Sequence, residues 1–155
     1  MNIKELTTEI SIEFELLDNI LIELSNLKKD IEGREPTTRE KTAAAAFMAQ
    51  FYGGIENVLK RISVFNSIPI PVGDAWHITL FKNYCETSHG NLPVLFDNSL
   101  SISIAPFRKF RHVVYHSYGF QLDWDRMKEG LQNIDDVFLR FKDKVQYYLN
   151  TMKGI

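Results

Sequence analysis

Apolar positions recur at three- and four-residue steps along most of the chain, the period of a helix that buries one face. Over residues 3–31 they are Ile10, Phe14, Leu17, Leu21, Leu24, Leu27 and Ile31. The opposite face holds Glu5, Glu9, Glu13, Glu15, Asp18 and Glu23 and reads as a solvated acidic surface. Gly33 follows, a residue type common just past a helix end. Pro36, Thr37 and Thr38 restart the chain, with Thr as the N-cap of a second helix that runs to about Val64. This helix carries Ala43 to Ala46, then Phe47, Met48, Phe51, Ile55, Val58, Leu59 and Ile62. Gly53 and Gly54 in its middle cost about 1 kcal/mol each relative to Ala, which points to close packing or a kink.

Residues 66–73, with Pro69 and Pro71, read as a loop. Asp74 is placed to cap a third helix from 75 to about 87, with Trp76, Leu80 and Tyr84 on one side. The run from Ser99 to Ile104 alternates with period two and reads as a strand in isolation. A lone strand has no partner in a helical chain, so helix is the favoured reading. Pro106 suits a helix start or a local break. Helical periodicity returns at Phe107, Phe110, Val113 and Val114, and Gly119 closes that segment. A last helix follows Asp123 as cap and runs to about Met152 through Met127, Leu131, Ile134, Phe138, Phe141, Val145 and Leu149. The expectation is an all-α, up-and-down bundle of about five helices.

The length of 155 residues fits one domain over 1–155, and 45% apolar with 25% charged residues is ordinary for a globular chain. No apolar run approaches the roughly 18–20 residues that span a bilayer. The N-terminal residues lack the apolar core of a signal peptide, so secretion is not expected. The single cysteine, Cys85, excludes an internal disulfide and a Cys-based zinc cluster. A reducing cytoplasm is the expected compartment. Net charge is −2, so any nucleic-acid role has to rest on a local basic surface.

The chain has no glycine-rich phosphate loop, no GxSxG and no HExxH. Cys85 has His89 four residues on, and an idle cysteine is the simpler reading. The informative segment is residues 107–119, FRKFRHVVYHSYG, which crowds three cations, two histidines and two tyrosines together. The plainest account of it is a basic helix face interleaved with core aromatics. Two sharper accounts compete. His112 and His116 stand four apart, the spacing of a metal pair, but no further ligand lies at matching spacing. Alternatively Arg111, His116 and Tyr118 form a phosphate-directed site. Arg offers a fixed charge and a fork of donors, His moves a proton near neutral pH, and Tyr adds a hydroxyl or a stacking ring. On a straight helix Arg111 and Tyr118 share a face, whereas His116 sits roughly 140° from Arg111 at about 100° per residue. Convergence then needs an irregular helix or a second chain.

Arg111–x4–His116–x–Tyr118 resembles the R-x4-H-x-Y motif of HEPN-domain ribonucleases, in particular the HepT-like toxins of HEPN/MNT toxin–antitoxin pairs. Phe51 to Ile62, Asp74-Ala75-Trp76-His77, Phe110 to Val114 and Tyr118 to Trp124 resemble the same family, so the likeness covers roughly residues 36–130. It implies a helical bundle that dimerises, with Arg and His of both subunits lining one cleft. It implies metal-independent RNA cleavage without a cofactor, with His116 as acid/base and Arg111 on the phosphate. His112 would assist, and Glu56 would pair with Arg111 and orient it, unless Glu56 is a plain surface charge. Tyr118 matches the tyrosine that the partner nucleotidyltransferase antitoxin modifies with AMP. Arg108 and Lys109, with Lys60 and Arg61, would supply the positive potential that RNA needs. The alternative is a non-catalytic helical subunit that binds and positions a nucleotidyltransferase.

Overall fold

The computed structural model describes residues 1–85 and 89–154. Among these it contains five α-helices: α1 (Ile3–Asp30), α2 (Thr38–Phe65), α3 (Trp76–Lys82), α4 (Asn98–His116) and α5 (Trp124–Lys153). A single 3-10 turn, Gly119–Gln121, joins the last two. Helix α2 is the hub. It packs against α1, α3, α4, α5 and the 3-10 turn, while α5 closes the bundle against α1 and α4. Its burial pattern follows from that position. Ala44, Ala45, Met48, Phe51, Tyr52, Gly54, Ile55, Val58, Leu59 and Ile62 are all buried, so apolar residues wrap most of its circumference.

Local chemistry sets the ends. Asn2 and Thr37 each form a capping box, with Glu5 and Glu40 respectively. Arg34 adds two 2.7 Å bonds to Glu40, and together these donors pull the Glu40 carboxyl down to about 2. Gly33 takes a positive φ of 78° three residues past α1. Asp123 caps α5 as expected. Asp74 does not cap α3: the cap residue is Ala75, which offers no side-chain bond, and α3 stops at Lys82. Of the rest of the expected third helix, residues 83–85 form a turn and an isolated bridge, and 86–87 lie outside the described residues.

The period-two run is helical. Asp97 accepts from the Leu100 amide and starts α4 one turn before it. Leu100, Ile104 and Phe107 face the core, while Ile102 is exposed. Two of the three serines that gave the alternation meet α5, where Arg140 donates to Ser99 and Ser103. Pro106 neither starts nor breaks the helix; it sits on the exposed side of a continuous α4. There it removes only its own donor to the Ile102 carbonyl. Helix α4 ends at His116, with Ser117 in extended backbone, and Gly119 opens the 3-10 turn.

The acidic face of α1 is not uniformly solvated. Glu13 is 7% exposed and, with Glu9, holds the Arg61 guanidinium at 3.1 and 2.8 Å. Edge-on aromatic pairs tie the helices together, Phe14 with Phe138 and Phe141, and Phe51 with Phe107 and Phe138.

The two mid-helix glycines differ in kind. A Cβ on Gly54 would lie 2.5 Å from Leu17 Cδ2, so the bare backbone is what lets α1 and α2 approach; a Cβ on Gly53 meets nothing within 4 Å. Gly53→Ala is expected to raise stability by about 0.5–1 kcal/mol through helix propensity and reduced unfolded-chain entropy. Gly54→Ala is expected to lower it by about 1–2 kcal/mol through overpacking. Urea unfolding of the two variants checks both signs.

Candidate functional site at the end of helix 4

Positions 108, 111, 112, 115 and 116 fall on one stripe of α4, spaced by three and four residues. Their side chains, with His77 from α3, line a cavity of about 290 Å³. Arg111 and His116 thus reach one cavity although their helical positions differ in direction. Arg111 leans towards α2 and α3, while His116 closes on His112 one turn back, ring centroids 4.3 Å apart.

Glu56 anchors this arrangement from below. It stands on α2, is 2% exposed, and its Oε1 lies 3.1 Å from Arg111 Nε. The other oxygen, Oε2, has no hydrogen-bond partner among the described residues and lies 3.7 Å from His77 Nδ1. Burial raises the Glu56 carboxyl above its usual value, and Arg111 and then Lys60 pull against that shift. Glu56 is therefore a buried charge held by its cation rather than a surface one.

Arg111 is clamped on several sides. Its Nη1 lies 3.0 Å from His77 Nδ1. The guanidinium also lies 5.6 Å from the Trp76 ring centre and 5.1 Å from that of Tyr115. Lys60 sits 4.4 Å over Trp76. His77 is made less basic by burial first, then by Arg111, His112, Lys60 and Arg108. Arg108 reaches the cavity and stacks over Phe81 at 5.0 Å.

Not every expected residue comes to this place. Lys109 lies across α4 and lines a separate cavity of about 530 Å³ between α4 and α5. Arg61 is taken up by Glu9 and Glu13 on α1. Tyr118 stands beyond the helix end, 70% exposed, with its ring stacked parallel on Phe120 at 5.5 Å. It is not among the residues lining the cavity of Arg111 and His116. Among the described residues no group of three or more His, Cys, Asp or Glu is placed to hold a metal ion. His77, Trp76 and Tyr115 carry much of the geometry without having been singled out as site residues. Trp76 and His77 do fall in one of the segments that carry the family likeness, which was the one available signal for them.

Removing Arg111 would strand a buried carboxylate. Arg111→Ala is expected to cost roughly 3 kcal/mol, the low end for a broken buried pair because Lys60 remains nearby. A carboxyl whose native value is raised subtracts stability as pH climbs past its ordinary 4.5 towards that native value. The variant should therefore lose stability as pH rises above 4.5. Adding Glu56→Gln should restore it and flatten the dependence. Unfolding of the single and double variants from pH 4 to 8 measures this.

Comparison with curated proteins and with solved structures finds no match. A family model described as HepT-like protein matches residues 43–152, most of the chain, including all of α3 and α4 and nearly all of α2 and α5. The matched span contains Glu56, His77, Arg108, Arg111, His112 and His116, so the chain belongs to the HepT-like family.

Proposed function

We propose that this chain is a metal-independent ribonuclease toxin of a HEPN/MNT toxin–antitoxin system. The observation that carries the reading is the cavity shared by Arg111 and His116 at the end of α4. Arg108 and Arg111 give it two permanent cations three residues apart in a chain of net charge −2, which suits a phosphodiester. His112 and His116 give it two imidazoles in ring contact, which suits proton transfer.

The reaction is transesterification within the RNA. The 2′-hydroxyl loses its proton to a base and its oxygen bonds to the adjacent phosphorus. The P–O5′ bond breaks, and His116 gives the departing 5′-oxygen a proton. The products are a 2′,3′-cyclic phosphate and a 5′-hydroxyl. His112 supports His116. Arg111, held by Glu56, stabilises the charge that builds on the phosphoryl oxygens. Two copies of the chain bring their α4 ends together, so that a second Arg/His set faces the same phosphate. The exposed Tyr118 ring is open to AMP transfer by a nucleotidyltransferase antitoxin, and the adduct adds negative charge beside a phosphate site.

Purified protein incubated with total cellular RNA in EDTA tests this. The wild type should leave cyclic-phosphate and 5′-hydroxyl ends, and His116→Ala should slow cleavage at least ~100-fold. Arg111→Lys should also slow it ~100-fold or more, since an ammonium cannot reproduce the bidentate fork. Tyr118→Phe should cleave normally and resist modification. Intact RNA from folded wild type with unmodified Tyr118 would favour the non-catalytic subunit that positions a nucleotidyltransferase.

A further inference from the structure

We propose that His77 is a catalytic residue of this site, acting as a neutral imidazole that donates its Nε2–H to a non-bridging oxygen of the reacting phosphate. The inference rests on the ribonuclease reading and adds a residue that the Arg111–His116 motif does not contain.

The tautomer follows from the partners. His77 Nδ1 lies 3.0 Å from Arg111 Nη1. A guanidinium has donors only, so Nδ1 must accept and the ring proton belongs on Nε2. The nearest alternative partner, Glu56 Oε2, is 3.7 Å from the same nitrogen, too far for a hydrogen bond. The charged and titratable groups facing the ring come from two elements, Glu56 and Lys60 on α2, and Arg108, Arg111 and His112 on α4. Burial and the cations in this set make the ring less basic than a free histidine. A second positive charge 3.0 Å from Arg111 would be costly, so the ring stays neutral.

The ring is also held in place. Trp76 packs on it at 4.2 Å between centroids, and the Arg111 contact fixes one edge. The opposite edge, bearing Nε2, is left for the cavity that His77 lines with Arg108, Arg111, His112 and His116. With its lone pair engaged and its proton on Nε2, this imidazole cannot take the 2′-hydroxyl proton. Its remaining capacity is to donate a hydrogen bond to developing negative charge without changing protonation state.

Two amide variants separate this role from the others. A Gln side chain places its N–H near His Nε2, whereas an Asn side chain places its own near Nδ1. In metal-free cleavage of a mixed-sequence single-stranded ribo-oligonucleotide, His77→Gln should stay within ~10-fold of wild type and keep its pH–rate profile, whereas His77→Asn should fall ~100-fold or more, the loss of one oxyanion donor. Nitrogen-15 NMR of the free protein should show His77 as the Nε2–H tautomer across the pH range of the cleavage assay. Equal activities of the two variants, a pH limb that disappears with His77→Gln, or an Nδ1–H tautomer would each overturn the assignment while leaving the ribonuclease reading intact. Folded, unmodified wild type that cleaves nothing would instead overturn that reading, and the role of His77 with it.

Discussion

The buried Glu56 carboxylate is the constraint around which the site is arranged. A charge at 2% exposure on the central helix has few options. It can take a proton, or it can be met by a cation from a neighbouring helix. Arg111 meets it at 3.1 Å, on an α4 turned so that Leu100, Ile104 and Phe107 face the core. Once position 111 faces α2, positions 108, 112, 115 and 116 must face the α3 side, and positions 102, 106, 109 and 113 must face the groove along α5. Lys109 and Arg108 are neighbours in sequence, about 100° apart round the helix, and line different cavities.

The same economy of charge explains how a chain of net charge −2 presents a cationic cavity. Several of its other basic side chains are met by carboxylates: Arg61 by Glu9 and Glu13, Arg34 by Glu40, Lys144 by Asp97 and Arg140 by Asp136. Exposed pairs of this kind add little stability, but they cancel charge where it is not used. Around the end of α4 the pattern changes. Arg108 and Lys60 have no ion pair among the described residues and rest on the rings of Phe81 and Trp76. An aromatic face holds a cation without neutralising it. The positive potential of Arg108 therefore remains available in the cavity, with Lys60 nearby over Trp76, which is what a polyanionic ligand would meet.

How much of this was legible in the sequence depends on which force decides each feature. The helices were legible because burial imposes a 3.6-residue period over long stretches, and α1, α2 and α5 fall within a few residues of the pattern. The run from Ser99 to Ile104 was ambiguous because Ser99 and Ser103 are held by Arg140, a contact that exists only once α5 is in place. Glu13 read as one more carboxylate on an acidic face because its partner, Arg61, is 48 residues away. His77 had the same difficulty at a separation of 34. Residues whose role is set by neighbours on their own helix can be read from spacing. Residues whose role is set across helices cannot, and here those are the ones that hold Arg111.

The end of α4 at His116 separates two things that the linear motif joins. Arg111 and His116 belong to the helix and share its cavity. Tyr118, two residues on, follows extended backbone and stacks outward on Phe120. A longer helix would have carried Tyr118 round to the face of Arg111, seven residues being close to two turns. Stopping the helix keeps the ring accessible from solvent while its backbone stays tethered two residues from the proposed general acid. On the toxin reading, that is the geometry an inactivating modification needs. The hydroxyl must be reached by another enzyme's active site, so it has to lie outside the cavity. The transferred phosphate must still oppose a substrate phosphate, so it has to lie within a Debye length of the Arg108–Arg111 pair, about 8 Å at physiological ionic strength. A break after His116 meets the first requirement, since Tyr118 is exposed and does not line the cavity.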